Sequence, residues 1–510
     1  MYTDDKVLYA DVAIIGGGSA GSSAAITAAR NGLSAILLEQ HIALGGEMTN
    51  GYVGGIAGVR EGNAKEFVER LDKRGMVKPS NLCPLIDSER AKLELESMVV
   101  GAGARVLYEA TVYDVEMGDD NKIKAVFAYC RGTRVKVIAD MFIDASGDAN
   151  VAAMAGAPVE YSTAEFSGYS SASSLACRIA HVDIVKWEAA KKEWDEQQEK
   201  DGVPKEKRVT LDRKLLLEAE KNGDLSTNFV AYKKALATQM SRIAPGLDPD
   251  LDHDRTTVWY FKSFNCKNTD IEDLTRQILE QHRQMDYCER FLNKYCPGFE
   301  NAKLSTLPCM NGVRDSRRIR GEYVFSGRDM VEQARFEDAI ARFDDMFDLH
   351  HPVDFNVFMR HIHLHGPKGE KGFYSEPTHD LNMHPYCEPE GIEGRTDPKG
   401  YCEIPYRCIV PLKVDNLFVV GRCYSADFYA LSGARLIATM MSLGQAAAVA
   451  TKLCKDEGVT PRKLDGKKVH KYLMEVEGIP LETPTPRMLE KANMPGKPYY
   501  NKQGDNMKYK

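Results

Sequence analysis

The segment from residue 8 to residue 46 constrains the fold of this chain more than any other. An apolar strand, Tyr9 to Ile15, runs into the glycine-rich loop GGGSAG at positions 16–21, and an alanine-rich helix continues to about Asn31. A second strand, Ser34 to Leu38, ends at Glu39. A strand, a glycine loop, a helix and a second strand that ends in an acid form the fingerprint of a dinucleotide-binding β-α-β unit.

The glycines of this loop and the acid have separate physical roles. Gly16 permits a tight turn, Gly18 lets the backbone approach a pyrophosphate, and Gly21 lets the helix pack closely on the strand. The helix N-terminus offers unpaired N–H groups and the positive end of its dipole to the phosphates. Glu39 lies 18 residues beyond Gly21 (39 minus 21), near the spacing expected for a carboxylate that accepts hydrogen bonds from the ribose hydroxyls.

A second glycine-rich stretch favours a flavin over a nicotinamide nucleotide. Gly45-Gly46 and then Thr49-Asn50-Gly51 follow the second strand, where NAD dehydrogenases do not normally have glycines. Glycine suits a backbone that passes close over a flavin ring, because no side chain stands in the way. The segment therefore predicts FAD as the cofactor.

Composition excludes several classes of partner. A net charge of −7 gives no electrostatic case for binding nucleic acid or an anionic membrane. No stretch approaches about 18 consecutive apolar residues, so no membrane span is expected, and the N-terminus lacks the pattern of a signal peptide. The 12 cysteines form no CxxC pair, which is typical of reduced thiols in the cytoplasm, where we expect this protein.

The order of the remaining patterns predicts an α/β fold. Short β segments between 105 and 139 are followed by a strand from Met141 to Asp144 and a small-residue turn, 145–148. Residues 185–300 are rich in charged residues at helical spacing. Val414–Val420 is predicted to be a further strand, and Ser432 is predicted to be the N-cap of a long helix from Gly433.

We predict a Rossmann-like FAD-binding domain with an inserted β-meander, plus a substrate or cap domain with a helical insertion. At 510 residues the chain is longer than one hydrophobic core usually supports. The predicted boundaries are 1–158 for the first part of the FAD domain, 159–402 for the cap, 403–460 for the return of the FAD domain and 461–510 for a C-terminal tail.

These motifs resemble the FAD-dependent oxidoreductase family of bacterial genomes, whose relatives include the fumarate reductase and succinate dehydrogenase flavoproteins. The resemblance rests on the fingerprint, the turn at 145–148, an arginine-rich stretch at 312–323, and the segments 402–407 and 416–422. The meander and the late Gly-Asp also resemble glutathione-reductase-type FAD domains. That likeness implies that Asp148 contacts the ribityl or pyrophosphate region, and the final helix is expected to point its N-terminus at the flavin N1/O2 edge.

The motifs and the resemblance together assign contacts with FAD to the following residues: Gly16, Gly18, Ser19, Ala20, Gly21, Glu39, Gly45, Gly46, Glu47, Thr49, Val112, Ala145, Gly147, Asp148, Gly421, Arg422, Ala434 and Arg435. For Arg435 a salt bridge on the helix surface is the competing interpretation.

A histidine-rich stretch is the first candidate for catalysis. On a strand, His361, His363 and His365 would face one side, because side chains alternate with period two. Such a row could contact the substrate, bind a metal, or be a solvated face, and we assign it no metal.

Three further residues are candidates for chemistry. Arg314 begins a cluster with Arg317, Arg318 and Arg320 that could bind a substrate carboxylate or could pair with acids of the chain. Tyr424 follows the exit Gly421-Arg422, and Tyr406 precedes that strand, so either hydroxyl could donate a proton near the flavin.

The predicted function is exchange of hydride between flavin N5 and a small organic substrate. The arginine cluster favours reduction of an unsaturated acid or ketone, whereas the histidines favour oxidation of an alcohol or sugar hydroxyl, and both remain open. The sequence contains no second dinucleotide fingerprint, so electrons are expected from the substrate or from an external donor or acceptor. The alternative is an FAD-carrying electron-relay subunit of a larger complex, and an oligomer is left open.

Overall fold

A computed structural model gives the structure of the chain, with side chains. The residues that it describes are 3–79, 83–163, 166–204, 207–224, 244–245, 255–344, 348, 350–353, 359–365, 371–378, 401–486 and 488.

The strands in these residues are β1 (Thr3–Ile15), β2 (Ala35–Leu38), β3 (Val77–Lys78), β4 (Leu85–Ile86), β5 (Arg105–Leu107), β6 (Thr111–Met117), β7 (Ile123–Cys130), β8 (Thr133–Asp144), β9 (Val159–Tyr161), β10 (Ser173–Ala180), β11 (Ala244–Pro245), β12 (Arg255–Ser263), β13 (Lys303–Thr306), β14 (Arg317–Ile319), β15 (Ala339–Phe343), β16 (Met359–His365), β17 (Lys371–Thr378), β18 (Cys402–Pro405) and β19 (Leu417–Val419).

The helices are α1 (Ser19–Arg30), α2 (Gly62–Asp72), α3 (Ser88–Gly101), α4 (Asn150–Met154), α5 (Ile184–Lys200), α6 (Leu211–Lys221), α7 (Ile271–Tyr295), α8 (Gly327–Val331), α9 (Phe428–Ala434), α10 (Ile437–Glu457) and α11 (Gly466–Glu475). Single 3-10 turns occur at Gly46–Met48, Tyr406–Ile409 and Pro461–Lys463.

The largest sheet has the strand order β5-β2-β1-β8-β7-β6, with β19 added alongside β8. The first half of β8 pairs antiparallel with β7, and its last residues, Phe142 to Asp144, pair parallel with β19. Because β1, β2, β8 and β19 run parallel, their carboxyl ends meet at one edge of the sheet. Ligands of open α/β sheets bind at that edge, so the topology places the predicted site there.

Helices α1 and α10 cover one face of this sheet and pack closely on each other. A Cβ at Gly444 of α10 would overlap the carbonyl oxygen of Ala20 in α1, and Ser23 donates a hydrogen bond to the Met441 carbonyl at 2.7 Å. In the described part of the chain, α10 is the helix long and apolar enough to cross a membrane, but 83% of its apolar window is buried inside the protein. Its apolar surface is therefore used for the core.

A second, antiparallel sheet has the order β11-β12-β10-β13 and packs against α7. It has its own apolar cluster, in which Trp187 of α5 and Phe299 meet edge to face with ring centroids 5.6 Å apart. The fold is thus α/β, with a Rossmann-like core and a second layer of mixed sheet and helix, as predicted. The 11 cysteines among the described residues are free thiols.

Several predicted boundaries differ from the structure. The strand predicted at Met141–Asp144 is the end of one long strand, β8, and β5 lies parallel beside β2 rather than in the meander. The long C-terminal helix does not begin at Ser432: α9 starts after Asp427, whose side chain accepts a hydrogen bond from the Ala430 N–H, and α10 starts after Leu436. Sequence periodicity continues through this break because both helices are buried.

Candidate functional site

The glycine loop after β1 has the geometry that a bound pyrophosphate needs. Gly16 has φ +95°, and a Cβ there would lie 2.5 Å from the Ala145 carbonyl oxygen. At Gly21 a Cβ would overlap the Gly16 carbonyl oxygen, whereas at Gly18 it would meet no atom within 4 Å. Gly16 and Gly21 are therefore required by packing, and open space lies beside Gly18, where the phosphates are expected.

Glu39, at the end of β2, is tied to this loop. One carboxylate oxygen accepts a hydrogen bond from the Gly17 N–H at 2.6 Å, and the other accepts one from the His41 N–H at 2.8 Å. The residue is buried, and each oxygen keeps a further lone pair. The carboxylate is therefore fixed in orientation and can still accept hydrogen bonds from ribose hydroxyls. Val112 lies on β6, two residues after Ala110. The Ala110 N–H donates a hydrogen bond to the Glu39 carbonyl at 2.9 Å, so the start of β6 lies next to Glu39.

The second glycine stretch lies against the first. The Gly45 N–H donates to the Gly17 carbonyl at 2.8 Å, and a Cβ at Gly46 would be 3.1 Å from the Gly18 Cα. The Thr49 hydroxyl donates to the Leu44 carbonyl at 2.5 Å, so it closes the turn from inside. Side chains are thereby kept out of the space between the two loops.

An ion pair joins the ends of β8 and β19 next to these loops. Arg422 and Asp148 are 2.8 Å apart, and a Cβ at Gly147 would lie 2.6 Å from the Arg422 guanidinium. The Ser316 hydroxyl donates to the same Asp148 oxygen at 2.5 Å. Gly421 approaches the glycine loop, since a Cβ there would be 3.7 Å from the Ala20 Cβ. Residues from four distant parts of the sequence thus converge at the strand ends.

Glu47 follows Gly46, and its carboxyl group lies among the residues that meet at these strand ends, near Arg422 and Asp148. Both carboxylate oxygens are buried, and neither accepts a hydrogen bond from any residue that the structure describes. Burial raises the pKa of Glu47 to about 7, and the guanidinium groups of Arg422 and Arg314 offset part of that rise. The Val313 backbone N–H lies near enough to lower the pKa of Glu47, but neither it nor any other described donor makes a hydrogen bond of ordinary geometry to the carboxyl group.

Arg314 connects Glu47 to a second group of polar residues, which we call the basic cluster: Lys262, Arg314, Asp348, His350 and Arg435. The Arg314 guanidinium donates to the Ala172 carbonyl at 2.7 Å. Arg435 donates to the Asp348 carbonyl at 2.7 Å and lies 3.3 Å from its carboxylate. The His350 ring is 3.1 Å from the other oxygen of that carboxylate.

The electrostatics of the basic cluster fix the charge of its histidine. Burial lowers the pKa of His350 well below its ordinary value, and the positive charges of Arg314 and Lys262 lower it further. The pKa of Asp348 is held well below its usual range: burial would raise it, but His350, Arg435 and Arg314 outweigh burial. At neutral pH the cluster therefore holds a neutral imidazole, an ionised carboxylate and three cationic side chains.

The structure separates the four arginines of the predicted arginine-rich stretch. Arg317 donates to the Asp148 carbonyl at 2.8 Å, and Arg318 forms a buried ion pair with Asp315. Arg320 pairs with Glu160 at the surface. Arg314 is the member whose charge acts on both Glu47 and His350, and its contact with substrate or cofactor stays a prediction.

The two predicted catalytic tyrosines have their side chains in the core. The Tyr406 hydroxyl donates to the Pro461 carbonyl at 2.8 Å, and its ring packs edge to face on Phe418. Tyr424 is fully buried beside Cys402 and Cys408. No hydrogen bond between described residues joins either hydroxyl to the glycine loops, and the catalytic role of both tyrosines stays a prediction.

Tyr406 also lines a surface cavity of about 530 Å³ that contains none of the predicted cofactor residues. Charged groups on its rim pair with each other, as Arg407 does with Asp338 at 2.9 Å. We assign no chemistry to it.

The histidines at 361, 363 and 365 lie on β16, which pairs antiparallel with β17, and the register shifts between His363 and His365. Their side chains are outside the described part of the structure, so their role stays a prediction. Among the residues that are described, no group of three or more His, Cys, Asp or Glu could hold a metal ion.

Sequence reasoning missed the basic cluster apart from Arg314 and Arg435. Lys262 follows the apolar run VWYF, and Asp348 and His350 stand among acids in FDDMFDLHH. Lys262 and His350 are buried, and nothing in either stretch marks these two side chains for burial.

Comparison with known proteins gives a family match over nearly the whole chain. Residues 11–473 match the model of the FAD dependent oxidoreductase family. A curated relative, thiamine thiazole synthase of Sulfolobus acidocaldarius, is 31% identical over 105 residues, which are 21% of this chain and 39% of the synthase. The chain thus spans about two fifths of that relative's length.

Two solved structures show the level of similarity among flavoproteins. A geranylgeranyl bacteriochlorophyll reductase-like protein of Thermoplasma acidophilum has 15% identity and a TM-score of 0.40, over 92% of this chain and 84% of that one. The flavin-dependent brominase Bmp2, in a triple-mutant form, has 12% identity and a TM-score of 0.39, over 92% and 85%. Both TM-scores are below 0.5, so the assignment rests on the family match. This chain belongs to the FAD-dependent oxidoreductase family and is an enzyme with FAD as its cofactor.

Proposed function

We propose that this enzyme exchanges hydride between flavin N5 and a small organic acid, whose carboxylate binds at the basic cluster. The observation that carries the proposal is the position of Arg314, which acts electrostatically on both Glu47 and His350. The basic cluster is therefore continuous with the FAD loops. When bound, FAD supplies the hydride acceptor or donor.

The chemistry of the cluster supports an anionic substrate. Arginine binds carboxylates through paired, charge-assisted hydrogen bonds, which are stronger in a buried setting than in water. Arg314 and Arg435 place two positive charges near the Asp348 carboxylate, and Arg314 and Lys262 place two near the His350 ring. The neutral imidazole of His350 can donate or accept a hydrogen bond without repelling the substrate. Of the two substrate classes that the sequence left open, the cluster favours the acid.

The electrons are proposed to pass to or from a separate donor or acceptor. The chain carries one dinucleotide fingerprint, at 16–21, and the second layer of the fold is an antiparallel sheet rather than a nucleotide-binding unit. A reductant or oxidant would therefore meet the flavin directly, in place of the organic acid or after it has left.

Anaerobic half-reactions test this proposal. Matched pairs of small acids and their neutral amides are mixed with oxidised and with dithionite-reduced enzyme, and flavin absorbance reports hydride transfer. We expect acids to react and amides to react poorly. Arg435→Gln should weaken binding of the acid about tenfold to hundredfold, since a hydrogen bond to a charged group contributes about 1.5–3 kcal/mol.

Arg320→Gln is the matched control, because it removes a surface arginine whose side chain is 50% exposed. Equal reaction of acids and amides, or an unchanged acid affinity in Arg435→Gln, would refute the role of the basic cluster. Flavin that no small substrate reduces, but that a protein partner does, would instead establish the electron-relay alternative.

A further inference from the structure

Among the described acids, Glu47 is the one with both carboxylate oxygens buried and without a hydrogen bond of ordinary geometry. It follows the glycine pair that lies against Gly18, and its own carbonyl accepts a hydrogen bond from the Val53 N–H at 2.9 Å, which fixes the turn. Both side-chain oxygens are buried and make no hydrogen bond of ordinary geometry to a described residue, and the nearest backbone donor is the Val313 N–H. Such a group is costly in a closed protein interior, so its place at a ligand site calls for a chemical role.

The charged groups that act on Glu47 come from three elements. Arg422 follows β19, Arg314 precedes β14, and Asp148 follows β8. Burial, the largest influence, and the Asp148 carboxylate favour the protonated acid, whereas the two guanidinium groups and the Val313 backbone N–H favour the carboxylate. The opposing influences place the pKa of Glu47 at about 7, so both protonation states are populated at neutral pH.

We propose that Glu47 takes up a proton from solvent when the bound flavin is reduced and releases it when the flavin is reoxidised. Reduction adds two electrons and one proton to the flavin ring, which leaves one additional negative charge on it. A nearby negative charge raises the proton affinity of a carboxylate, so Glu47 changes from carboxylate to carboxylic acid as a second proton enters the site.

This step balances without any group beyond those named. Two electrons and one proton come from the hydride donor, or from dithionite and water in the laboratory, and the second proton comes from water and binds one Glu47 oxygen. Reoxidation reverses both protonations. The proposal rests on FAD binding and not on the identity of the substrate, so it stands or falls separately from the organic-acid proposal.

The pH dependence of the flavin reduction potential tests it on the complete protein without substrate. Each proton taken up with two electrons changes the equilibrium constant between oxidised and reduced flavin tenfold per pH unit. This change shifts the reduction potential of a two-electron couple by about 30 mV per pH unit. Because part of Glu47 is already protonated in the oxidised protein at neutral pH, we expect a wild-type slope between about 30 and about 60 mV per pH unit near pH 7, and a slope that approaches about 60 mV per pH unit near pH 8. Protonation of the reduced flavin itself changes its absorption spectrum, whereas protonation of Glu47 does not, so the spectrum at each pH separates the two.

Infrared difference spectra between reduced and oxidised protein give a direct second measurement. A carboxylic acid carbonyl band should appear on reduction, disappear in Glu47→Gln, and persist at a shifted position in Glu47→Asp. Glu109→Gln is the control, because Glu109 is a surface carboxylate paired with Arg131; its slope and band should equal those of the wild type.

Four outcomes decide the matter. A wild-type slope that rises above one proton between about pH 6 and pH 8, and that Glu47→Gln reduces to one proton, supports the proposal. A wild-type slope of one proton across about pH 6 to 8, with no new carbonyl band, overturns it even if Glu47→Gln fails to fold. A band that survives in Glu47→Gln also overturns it. A wild-type protein that retains no FAD would overturn both proposals.

Discussion

Replacement of Arg318 by methionine is the sharpest test of how this fold is held together around the flavin. The Arg318 side chain is 1% exposed and forms an ion pair with Asp315, which is 2% exposed. It also donates to the Ala426 carbonyl at 3.0 Å and to the Ser162 carbonyl at 2.8 Å. One guanidinium therefore joins segments that lie far apart in the sequence.

Methionine fills a similar volume but leaves the Asp315 carboxylate buried without its cation. Breaking a buried pair in this way costs about 3–5 kcal/mol. Domains of this kind are stable by only about 5–15 kcal/mol in total, so the loss is a large fraction of the free energy of unfolding. Arg320→Gln breaks a surface pair whose partners are 50% and 35% exposed, and it should cost less than about 1 kcal/mol.

The defect of Arg318→Met should grow as the pH rises. Burial raises the pKa of Asp315, and Arg318 lowers it, so removal of Arg318 raises it further. The unfolded-state pKa of an aspartate is about 3.9. If the pKa is higher in the folded state, the free energy of unfolding falls as the pH rises from the unfolded-state pKa to the folded-state pKa. The cost relative to wild type should therefore be larger at about pH 8 than at about pH 5.

Urea denaturation, followed by circular dichroism and by flavin fluorescence, measures the free energy of unfolding of each variant. The third variant combines Asp315→Asn with Arg318→Met. The double variant should recover part of the stability, because it removes the uncompensated charge. Equal losses in Arg318→Met and Arg320→Gln, or a loss that does not change with pH, would refute the reasoning.

Two smaller changes test other parts of the structure. Gly21→Ala should abolish FAD retention, because the added Cβ would overlap the Gly16 carbonyl oxygen. Gly101→Ala is the control: its Cβ meets no atom within 4 Å, so the variant should keep normal FAD content after gel filtration. Equal FAD content in the two variants would contradict the packing argument. Tyr406→Phe should lower the free energy of unfolding by about 1 kcal/mol, through loss of the hydrogen bond to the Pro461 carbonyl, and leave the flavin half-reaction rate unchanged; a slower half-reaction would restore Tyr406 to the mechanism.

The cofactor was predictable because its signals are local. The glycines at 16, 18 and 21 and the acid at 39 are fixed by one β-α-β unit, whose strand, turn and helix follow each other in the chain. The turn at 145–148 and the strand before Gly421 could be added because they end in the same kind of small-residue motif.

The candidate chemistry was harder to predict because the direction of a side chain depends on what packs around it. Tyr424 stands two residues beyond Arg422, yet Arg422 faces the FAD loops and Tyr424 is buried in the core. Glu47 was assigned to the cofactor only as a contact residue, and nothing in the letters around it shows that its carboxyl group would be buried without a donor.

The sequence by itself determined the nucleotide fold, the cofactor and the edge of the sheet where both meet, because the backbone conformations and close approaches involved demand glycine at particular positions. Only the tertiary structure decided which charged residues leave water and meet in the basic cluster. Lys262, Arg314, His350 and Arg435 come from four separate segments, and their pKa values and partners depend on burial and on distances across those segments. Charge-charge interactions are set by distance in space, which residue order does not encode.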